Sequence, residues 1–325
     1  MPQAVTAQLT ADFNTQFAHD VREGLNKAGQ KELSSRYLYD DIGSALFEVI
    51  SLLPEYGLTR AGERILRQHS EAITARIPSP VVVAELGSGS GKKTRWILEA
   101  IARRQPTLYH PIEISRAALS MVEHELDHLE SVSVLGFETG YLDGLRKVAA
   151  RREDGQHLLV LFLGSSIGNF DRKPGEDFLR KIREILTFGD ALLLATDLEK
   201  PIEQLRKAYD DPLGVTAAFN LNLLARINRE LGGDFDLAKF RHIAKYNATE
   251  RRIEMHLSSS VAQTVTIRKS RLSVTFQKGE TIWTESSHKY AAEEVFEMAR
   301  RAGFQCDGQW FDDEWPFAEN LLVPV

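Results

Sequence analysis

From residue 81 to residue 198 the chain alternates short apolar runs with helix-like segments, and this alternation constrains the fold more than any other feature. The apolar runs are VVVAEL, YHPIEI, SVSVLGF, HLLVLFLG and DALLLATDL, and the segments between them include KKTRWILEAIARR and GEDFLRKIREIL. Strands that alternate with helices form parallel sheets, because each helix carries the chain back to the same edge. The sequence therefore predicts a doubly wound, Rossmann-like α/β domain.

The pattern changes after Leu198, where a long helical region leads into the segments RRIEMHLSSS, QTVTIRKSRLSVTFQ and TIWTESSHKY. Alternation with a period of two is typical of antiparallel strands, and KGE is the expected turn. The segment AAEEVFEMARRAGF then returns to a helix that ends near Gly303. Residues 61–198 and 289–325 are therefore predicted to form the α/β domain, and residues 1–60 and 199–288 a second lobe.

A glycine loop follows the first apolar run in the stretch ELGSGSGKKT. A P-loop needs glycine at Leu86 and a hydroxyl at Lys93, and a dinucleotide fingerprint needs glycine at Lys92, so both readings fail. The remaining acid-x-Gly-x-Gly-x-Gly form is similar to the S-adenosylmethionine loop of class I methyltransferases. Glycines there take positive φ and let the backbone approach a ligand, so a Cβ at Gly87 or Gly89 is expected to clash.

Five further segments extend the similarity: YLYDDIGSALFEVISLLPEYGLTR, FLGSSIGN, AYDDPLGVTAAFN, RIEM and TESSHKY. Together they resemble the L-histidine Nα-methyltransferase family of ergothioneine biosynthesis, over almost the whole chain. The resemblance implies a class I methyltransferase domain with an inserted amino-acid-binding lobe and S-adenosyl-L-methionine as cofactor. It also implies trimethylation of the α-amino group of L-histidine to hercynine.

The resemblance also implies roles for residues that hold the amino acid. Tyr56 and Tyr209 bind its carboxylate through hydroxyls, which add no cation beside the sulfonium. Asn169 orients the α-amine through its amide oxygen and leaves the nitrogen lone pair free to meet the methyl group. Tyr39 lies near both the cofactor and the imidazole and is taken, with Asn169, as a catalytic residue.

Recognition of the imidazole ring is assigned to Glu285 and Ser287 in TESSHKY. Their i,i+2 spacing on a strand puts both side chains on one face. Each engages a ring nitrogen, and a buried carboxylate favours a protonated or well-tethered ring. A site that hydrogen-bonds the ring rejects analogues that lack those groups. Met255, in RIEM, lines the same pocket by resemblance.

The expected cofactor-binding residues are Tyr39, Gly87, Gly89, Lys93, Glu113 and Tyr141. Glu113, at the end of the second apolar run, is placed to accept hydrogen bonds from the ribose hydroxyls. The chain departs from the family pattern after the third run, where an Asp-Phe pair that contacts the adenine is replaced by Gly140 and Tyr141. Tyr141 is expected to pack on the adenine, and Glu138 is a candidate substitute for the missing acid.

The composition of the chain limits the classes of molecule that the protein is expected to bind. The net charge of −6 and the pI near 5.9 provide no broad electropositive surface, so no nucleic-acid partner is expected. The single cysteine, Cys306, excludes internal disulfides and thiolate zinc clusters, and no metal is expected. No apolar run reaches the roughly 18 residues of a membrane span, and the N-terminus is too polar for a signal peptide. We expect a cytoplasmic monomer that acts on a small molecule and binds no membrane.

Two alternatives remain at this point. A related N-methyltransferase for another substrate, such as an indole amino acid, has little use for Glu285 with Ser287, since an indole offers one donor. A non-catalytic amino-acid or adenosyl-ligand sensor is disfavoured by the intact loop and the complete set of substrate residues. The expected chemistry is in-line displacement at the sulfonium methyl, with alignment and desolvation as the main contributions of the protein. The sequence identifies no general base.

Overall fold

The computed structural model describes residues 2–325, with side chains described from residue 14 onward. Its helices are α1 (Pro2–Leu25), α2 (Asp41–Leu52), α3 (Leu58–Thr74), α4 (Arg95–Ala102), α5 (Arg116–Leu126), α6 (Tyr141–Ala149), α7 (Arg172–Ile185), α8 (Ile202–Tyr209), α9 (Val215–Leu231) and α10 (Ala292–Arg301). Its strands are β1 (Lys31–Glu32), β2 (Val81–Leu86), β3 (Thr107–Glu113), β4 (Val132–Val134), β5 (Phe137–Glu138), β6 (His157–Phe162), β7 (Ala191–Asp197), β8 (Phe240–Asn247), β9 (Arg252–Ser259), β10 (Gln263–Ile267), β11 (Leu272–Phe276), β12 (Thr281–His288), β13 (Phe304–Phe311) and β14 (Phe317–Pro324).

The described residues divide into two compact units. The first unit contains the chain up to Ile50 and the segment Ile202–Ser286. The second contains Ser51–Pro201 and Ser287–Val325. Both units are therefore assembled from segments that are distant in sequence.

The second unit is built on a sheet with the strand order β13-β14-β7-β6-β2-β3-β4. Strand β2 pairs in parallel with β3 and β6, and β6 pairs in parallel with β7. Strand β14 is antiparallel to both β7 and β13. The apolar runs of the sequence form the parallel part of this sheet, which confirms the predicted doubly wound domain. The run SVSVLGF forms two short strands, β4 and β5, which both pair with β3.

Strand β2 shows why these runs are continuously apolar. All of its residues are buried. Val82, Ala84 and Leu86 belong to one hydrophobic core, whereas Val81 and Val83 belong to another. A strand covered on both faces needs apolar side chains at every position, and each buried valine or leucine contributes about 1.5–3 kcal/mol. The parallel strands therefore form a rigid base for the loops at their carboxyl ends.

Capping residues define two helices beside this sheet. The Ser115 hydroxyl accepts a hydrogen bond from the Ala118 N–H at 3.2 Å and caps α5. Helix α10 ends at Arg301, and Gly303 follows with a φ of 85°. Glycine is favoured after a helix because it adopts the left-handed conformation at little cost. The predicted end of this helix near Gly303 is confirmed.

The first unit contains a four-stranded sheet of order β1-β12-β9-β8 and a separate hairpin of β10 and β11. Strands β8 and β9 are antiparallel, whereas β1 and β12 are parallel. The predicted single antiparallel sheet is therefore wrong. The expected KGE turn is present, with the Glu280 N–H donating to the Gln277 carbonyl at 3.1 Å, but it connects β11 and β12 of different sheets.

Aromatic packing closes the core of the first unit around the hairpin. The rings of Phe240 and Phe276 meet edge to face with centroids 5.5 Å apart, and Phe235 packs edge-on against Phe240 at the same distance. All three are buried.

In the described part of the chain, no helix combines the length and apolar character needed to cross a membrane.

Candidate active site

The glycine loop lies at the carboxyl end of β2. Gly87, Gly89 and Gly91 have φ values of 75°, 54° and 75°, which confirms the predicted positive φ. The Gly87 N–H donates to the Ile112 carbonyl at 2.9 Å and ties the loop to the end of β3. A Cβ added at Gly89 meets no protein atom within 4 Å, so the clash predicted there requires a ligand. At Gly87 it would lie 2.9 Å from the Tyr141 hydroxyl oxygen.

Glu113 ends β3 beside this loop and is 9% exposed. Its Oε1 accepts from the Ile114 N–H at 2.8 Å and from the Ser115 N–H at 3.3 Å. Burial raises the pKa of Glu113, although backbone hydrogen bonds, including one from Gly89, oppose the rise. Burial and the charge of Glu113 raise the pKa of Tyr141. The structure thus brings Gly87, Gly89, Glu113 and Tyr141 together at one edge of the sheet.

Tyr141 begins α6, directly after its N-cap Gly140. Its ring packs edge-on against Phe162 of β6 at 5.7 Å between centroids. Glu138 stands opposite Glu113 in the register of β5 and β3, and its side chain is exposed. The Asp-Phe pair of the family pattern is absent from this chain, but the carboxylate of Glu138 and the ring of Tyr141 lie on the same side of the glycine loop.

Glu85 is the acid of the glycine motif and is 2% exposed. Its Oε2 accepts from the Thr94 hydroxyl at 2.7 Å and from the Tyr109 hydroxyl. Burial raises the pKa of Glu85 to about 7, opposed by these hydrogen bonds and by the charge of Lys93. Glu85 therefore fastens β2 to β3 and to the start of α4. Apart from the presence of Tyr109 in the segment YHPIEI, no sequence pattern indicated its contact with Glu85.

Lys93 lies between the glycine loop and the loop that follows β6. Its Nζ is 3.4 Å from the position of a Cβ built on Gly164. Both its Cδ and the Oε1 of Glu319 lie within 4 Å of a Cβ built on Gly62. Glu319 is 1% exposed, and its Oε2 has no hydrogen-bond partner among the described residues. Burial raises the pKa of Glu319 to about 8, and the charge of Lys93 opposes the rise.

Asn169 ends a 3₁₀ turn, Ser166–Asn169, in the loop after β6 and is half-buried. The loop begins with Ser165 at a φ of 61°, and the Ser165 hydroxyl accepts from the Asp197 N–H at 2.8 Å. A Cβ on Gly168 would lie 3.0 Å from the His288 carbonyl oxygen. This close packing holds Asn169 at the carboxyl edge of the sheet.

Two more of the predicted substrate residues belong to the second unit. Tyr56 is 8% exposed and lies between α2 and α3, where its N–H donates to the Leu53 carbonyl at 3.1 Å. Ser287 is 5% exposed and lies near the end of β12. Its hydroxyl oxygen accepts from Lys289 Nζ at 2.7 Å. No motif in the sequence points to Lys289 as a site residue.

The other predicted substrate residues belong to the first unit. The Tyr39 ring packs edge-on against Phe219 at 5.5 Å between centroids. Tyr209, at the end of α8, is 6% exposed, and Glu285, in β12, is 9% exposed.

Met255, in β9, is 2% exposed. Its carbonyl accepts a hydrogen bond at 3.0 Å from the hydroxyl of Thr284, which directly precedes Glu285 in β12. Met255 and Glu285 therefore lie on neighbouring strands, as the order of the sheet requires.

A buried ion cluster surrounds Asp197 at the end of β7. Lys289 Nζ lies 2.8 Å from its Oδ2, Lys200 Nζ binds its Oδ1, and Trp315 Nε1 donates to Oδ1 at 3.2 Å. Burial raises the pKa of Asp197, but the charges of Lys289 and Lys200 outweigh it and the net pKa is lowered. Burial lowers the pKa of Lys200 to about 8. Among the described side chains, no group of three or more has the composition of a metal site.

The strand order, the antiparallel β14 between β7 and β13, and the glycine loop with acids at the ends of β2 and β3 together define a class I, S-adenosylmethionine-dependent methyltransferase. The chain belongs to the family of histidine-specific, SAM-dependent methyltransferases, whose model matches residues 17–324.

Relatives of known name share this similarity over long stretches. The histidine N-alpha-methyltransferase of Mycolicibacterium smegmatis is 41% identical over 99% of this chain and 100% of its own length. That of Mycobacterium tuberculosis is 38% identical over 94% of each chain. Ergothioneine biosynthesis protein 1 of Neurospora crassa is 30% identical over 87% of this chain and 32% of its own length.

Proposed function

We propose that this enzyme methylates the α-amino nitrogen of L-histidine three times and forms hercynine, the first step of ergothioneine biosynthesis. The observation that carries the proposal is the 41% identity to a histidine N-alpha-methyltransferase over 99% of the chain. The buried carboxylate of Glu285 and the buried hydroxyl of Ser287, two residues apart in β12, support an imidazole as the recognised group.

The carboxyl edge of the sheet in the second unit suits an adenosyl cofactor. Gly89 has a positive φ and no protein atom within 4 Å of a Cβ built on it, so backbone can approach a ligand there. Glu113 is assigned to the ribose hydroxyls, Tyr141 to the adenine, and Gly87 with Lys93 to the methionine end. When bound, S-adenosyl-L-methionine supplies the electrophilic methyl group of a sulfonium.

The proposed division of labour follows the two lobes of the sequence. Residues 61–198 and 289–325 bind the cofactor, and residues 1–60 and 199–288 bind the amino acid. Tyr56 and Tyr209 hold the substrate carboxylate, and Met255 lines the ring pocket. Both tyrosines are buried, at 8% and 6% exposed, which supports a role in lining a binding site.

The side chains contribute orientation more than acid–base chemistry. The amide oxygen of Asn169 accepts from the α-amine, so the nitrogen lone pair points at the methyl group, with Tyr39 beside it. Transfer of the methyl group would form a nitrogen–carbon bond as the sulfur–carbon bond breaks, with S-adenosylhomocysteine as the leaving group, and each amine proton that must leave would pass to water. Because a carbonyl oxygen takes up no proton itself, Asn169 is able to orient the amine in the first two rounds, in which the nitrogen still carries an N–H to donate.

Mass spectrometry tests the proposal directly. The purified protein is incubated with S-adenosylmethionine and a mixture of amino acids that includes histidine and tryptophan. Histidine is expected to gain the mass of one, two and finally three methyl groups. Methylation of tryptophan with histidine unchanged would assign the enzyme to an indole substrate, and cofactor binding without any transfer would indicate a sensor.

A variant pair tests the ring contact. Glu285→Ala is expected to raise the KM for histidine by about 10- to 100-fold, the effect of losing a hydrogen bond to a charged group, while the Kd for S-adenosylhomocysteine stays within about twofold. Ser286→Ala is the matched control, because Ser286 is equally buried but faces the opposite side of β12. Equal losses of histidine turnover and cofactor binding in Glu285→Ala would contradict the role in ring recognition.

A further inference from the structure

His242, in β8, connects the end of α8 to the middle of α9. Its Nε2 lies 2.8 Å from the carbonyl oxygen of Tyr209, the last residue of α8. Its Nδ1 lies 2.9 Å from the side-chain nitrogen of Asn220 in α9. All three residues belong to the first unit. The connection therefore ends, within one compact unit, at a residue that the proposed function assigns to the substrate carboxylate.

The partners of His242 determine which ring nitrogen carries the hydrogen. A backbone carbonyl only accepts, so the ring donates from Nε2 to Tyr209. A side-chain amide nitrogen only donates, so Nδ1 accepts from Asn220. The orientation of the Asn220 amide is fixed independently, because the same nitrogen donates to the His256 carbonyl at 3.2 Å. His242 is therefore a neutral ring with its hydrogen on Nε2.

Burial supports this neutral form. Asn220 is 0% exposed. Burial lowers the pKa of His242, although the bond to the Tyr209 carbonyl and the charges of Asp210 and Asp211 oppose the fall. An imidazolium at this position would point an N–H from Nδ1 at the hydrogens of the Asn220 amide. The hydrogen bonds thus run in one direction, from Asn220 to His242 to Tyr209.

Tyr209 lies where the backbone needs a partner from outside its helix. The last carbonyls of a helix have no acceptor role within it, and helix ends fray. Beyond α8 the chain is held by Asp211, whose Oδ1 accepts from the Thr216 N–H at 2.8 Å at the start of α9. His242 anchors the other side of this turn at Tyr209. With the backbone anchored, only two side-chain torsions remain to place the phenol.

Asn220 connects the same contact to the strand of the ring pocket. Its second acceptor, His256, directly follows Met255 in β9. One amide nitrogen therefore holds the strand that carries Met255 and, through His242, the residue Tyr209. The carboxylate and the ring of one amino acid lie a limited distance apart, so residues that bind the two ends benefit from a fixed separation.

We propose that His242, oriented by Asn220, is a positioning residue that holds Tyr209 where it binds the carboxylate of the substrate. This inference rests on the proposed function, in which Tyr209 binds that carboxylate. His242 acts through Tyr209, so its effect depends on the tyrosine hydroxyl being present.

The test compares His242→Gln with His242→Asn, which differ by one methylene group. The amide nitrogen of glutamine reaches the place of Nε2, whereas the amide of asparagine ends near Nδ1. The Kd of histidine is measured by calorimetry on enzyme saturated with S-adenosylhomocysteine. His242→Gln is expected to keep this Kd within about twofold. His242→Asn is expected to raise it about 3- to 10-fold, the effect of losing one hydrogen bond.

A second comparison separates positioning from general stabilisation. In a Tyr209→Phe background, His242→Asn is expected to change the Kd of histidine by less than about twofold, because the hydroxyl that it positions is gone. A helix cap that serves stability alone would have the same effect on the Kd in both backgrounds.

His110→Leu is the control for loss of a buried bond between a histidine and a carbonyl elsewhere. His110 is 1% exposed, and its Nδ1 lies 2.9 Å from the Leu135 carbonyl oxygen in the second unit. This variant is expected to leave the Kd of histidine within about twofold. Circular dichroism and the Kd of S-adenosylhomocysteine check the folding of every variant. His242→Phe, which fills the site but has no donor, replaces His242→Asn if that variant does not fold.

Three results would overturn the inference: equal weakening in His242→Gln and His242→Asn, the same factor for His242→Asn in both backgrounds, or an equal weakening in His110→Leu. A wild-type enzyme that binds no histidine refutes the proposed function instead. Histidine binding that Tyr209→Phe does not weaken refutes the assignment of Tyr209 to the carboxylate, so the failures are distinguishable.

Discussion

Replacing Gly87 by alanine tests whether the glycine loop must keep its conformation beside Tyr141. Gly87 has a φ of 75°, where an L-residue costs about 1–2 kcal/mol, and the new Cβ would lie 2.9 Å from the Tyr141 hydroxyl oxygen. Moving the tyrosine away adds roughly 1 kcal/mol. The total of about 2–3 kcal/mol is lost either from the free energy of unfolding, if the loop keeps its shape, or from cofactor binding, if the loop relaxes.

Urea unfolding measures the loss of unfolding free energy, and calorimetric titration with S-adenosylhomocysteine measures the loss of binding free energy. The two losses are predicted to add up to about 2–3 kcal/mol. A loss entirely in binding corresponds to a Kd weakened roughly 30- to 150-fold. The double variant Gly87→Ala/Tyr141→Phe is expected to recover about 1 kcal/mol, because it removes the oxygen and leaves ring atoms at 3.5 Å.

Gly89→Ala is the control for backbone strain alone, since Gly89 has a φ of 54° and its added Cβ meets no protein atom within 4 Å. Its loss of unfolding free energy is expected to be about 1 kcal/mol. The reasoning from the contact is refuted if the combined loss of unfolding and binding free energy in Gly87→Ala is no larger than the loss of unfolding free energy in Gly89→Ala. It is also refuted if adding Tyr141→Phe to Gly87→Ala recovers no free energy.

Two further predictions concern buried carboxyl groups. Because burial raises the pKa of Glu319 to about 8, its contribution to stability is complete below the unfolded pKa of 4.5 and is lost as the pH rises through about 8. Glu319→Gln should therefore match the wild type in unfolding free energy at pH 4 and exceed it at pH 9 in urea titrations, and equal differences at both pH values would contradict this. Asp190, whose side chain is 0% exposed, pairs with Arg152 at 2.6 Å, so Asp190→Asn should cost about 3 kcal/mol of unfolding free energy. Glu71→Gln, in an exposed pair with Arg103, should change the unfolding free energy by less than about 0.5 kcal/mol, and similar costs for the two variants would contradict the role of burial.

The parallel sheet was predictable because its strands are buried on both faces and its helices separate them regularly. Strand β8 was not predicted, since its sequence FRHIAKYN places charged residues among partly buried positions and shows no clean alternation. Strand β1 has two residues, too few for any periodic pattern. Both strands depend on pairing partners elsewhere in the chain, β9 and β12, which local sequence does not encode.

Among site residues, those in segments similar to the family were named from sequence, whereas the groups that support them were not. In sequence, a buried lysine such as Lys289 looks the same as an exposed one. Its partner Asp197 lies in the fifth apolar run, and the whole inserted segment separates the two residues in sequence. Such pairs follow from tertiary packing and leave no spacing pattern, so Tyr109 with Glu85 was missed for the same reason.

The position of β14 has a consequence for how the protein folds during synthesis. This strand lies inside the large sheet, between β7 and β13, yet Phe317 pairs with Asp197 across about 120 residues of chain. The ribosome therefore completes the parallel strands long before the strand that covers the edge of β7, and that edge stays open to wrong pairing meanwhile. Folding of Ile202–Ser286 into its own unit shortens the effective loop, which lowers the entropy cost of bringing β14 to β7. Assembly of one unit is thus expected to speed closure of the other.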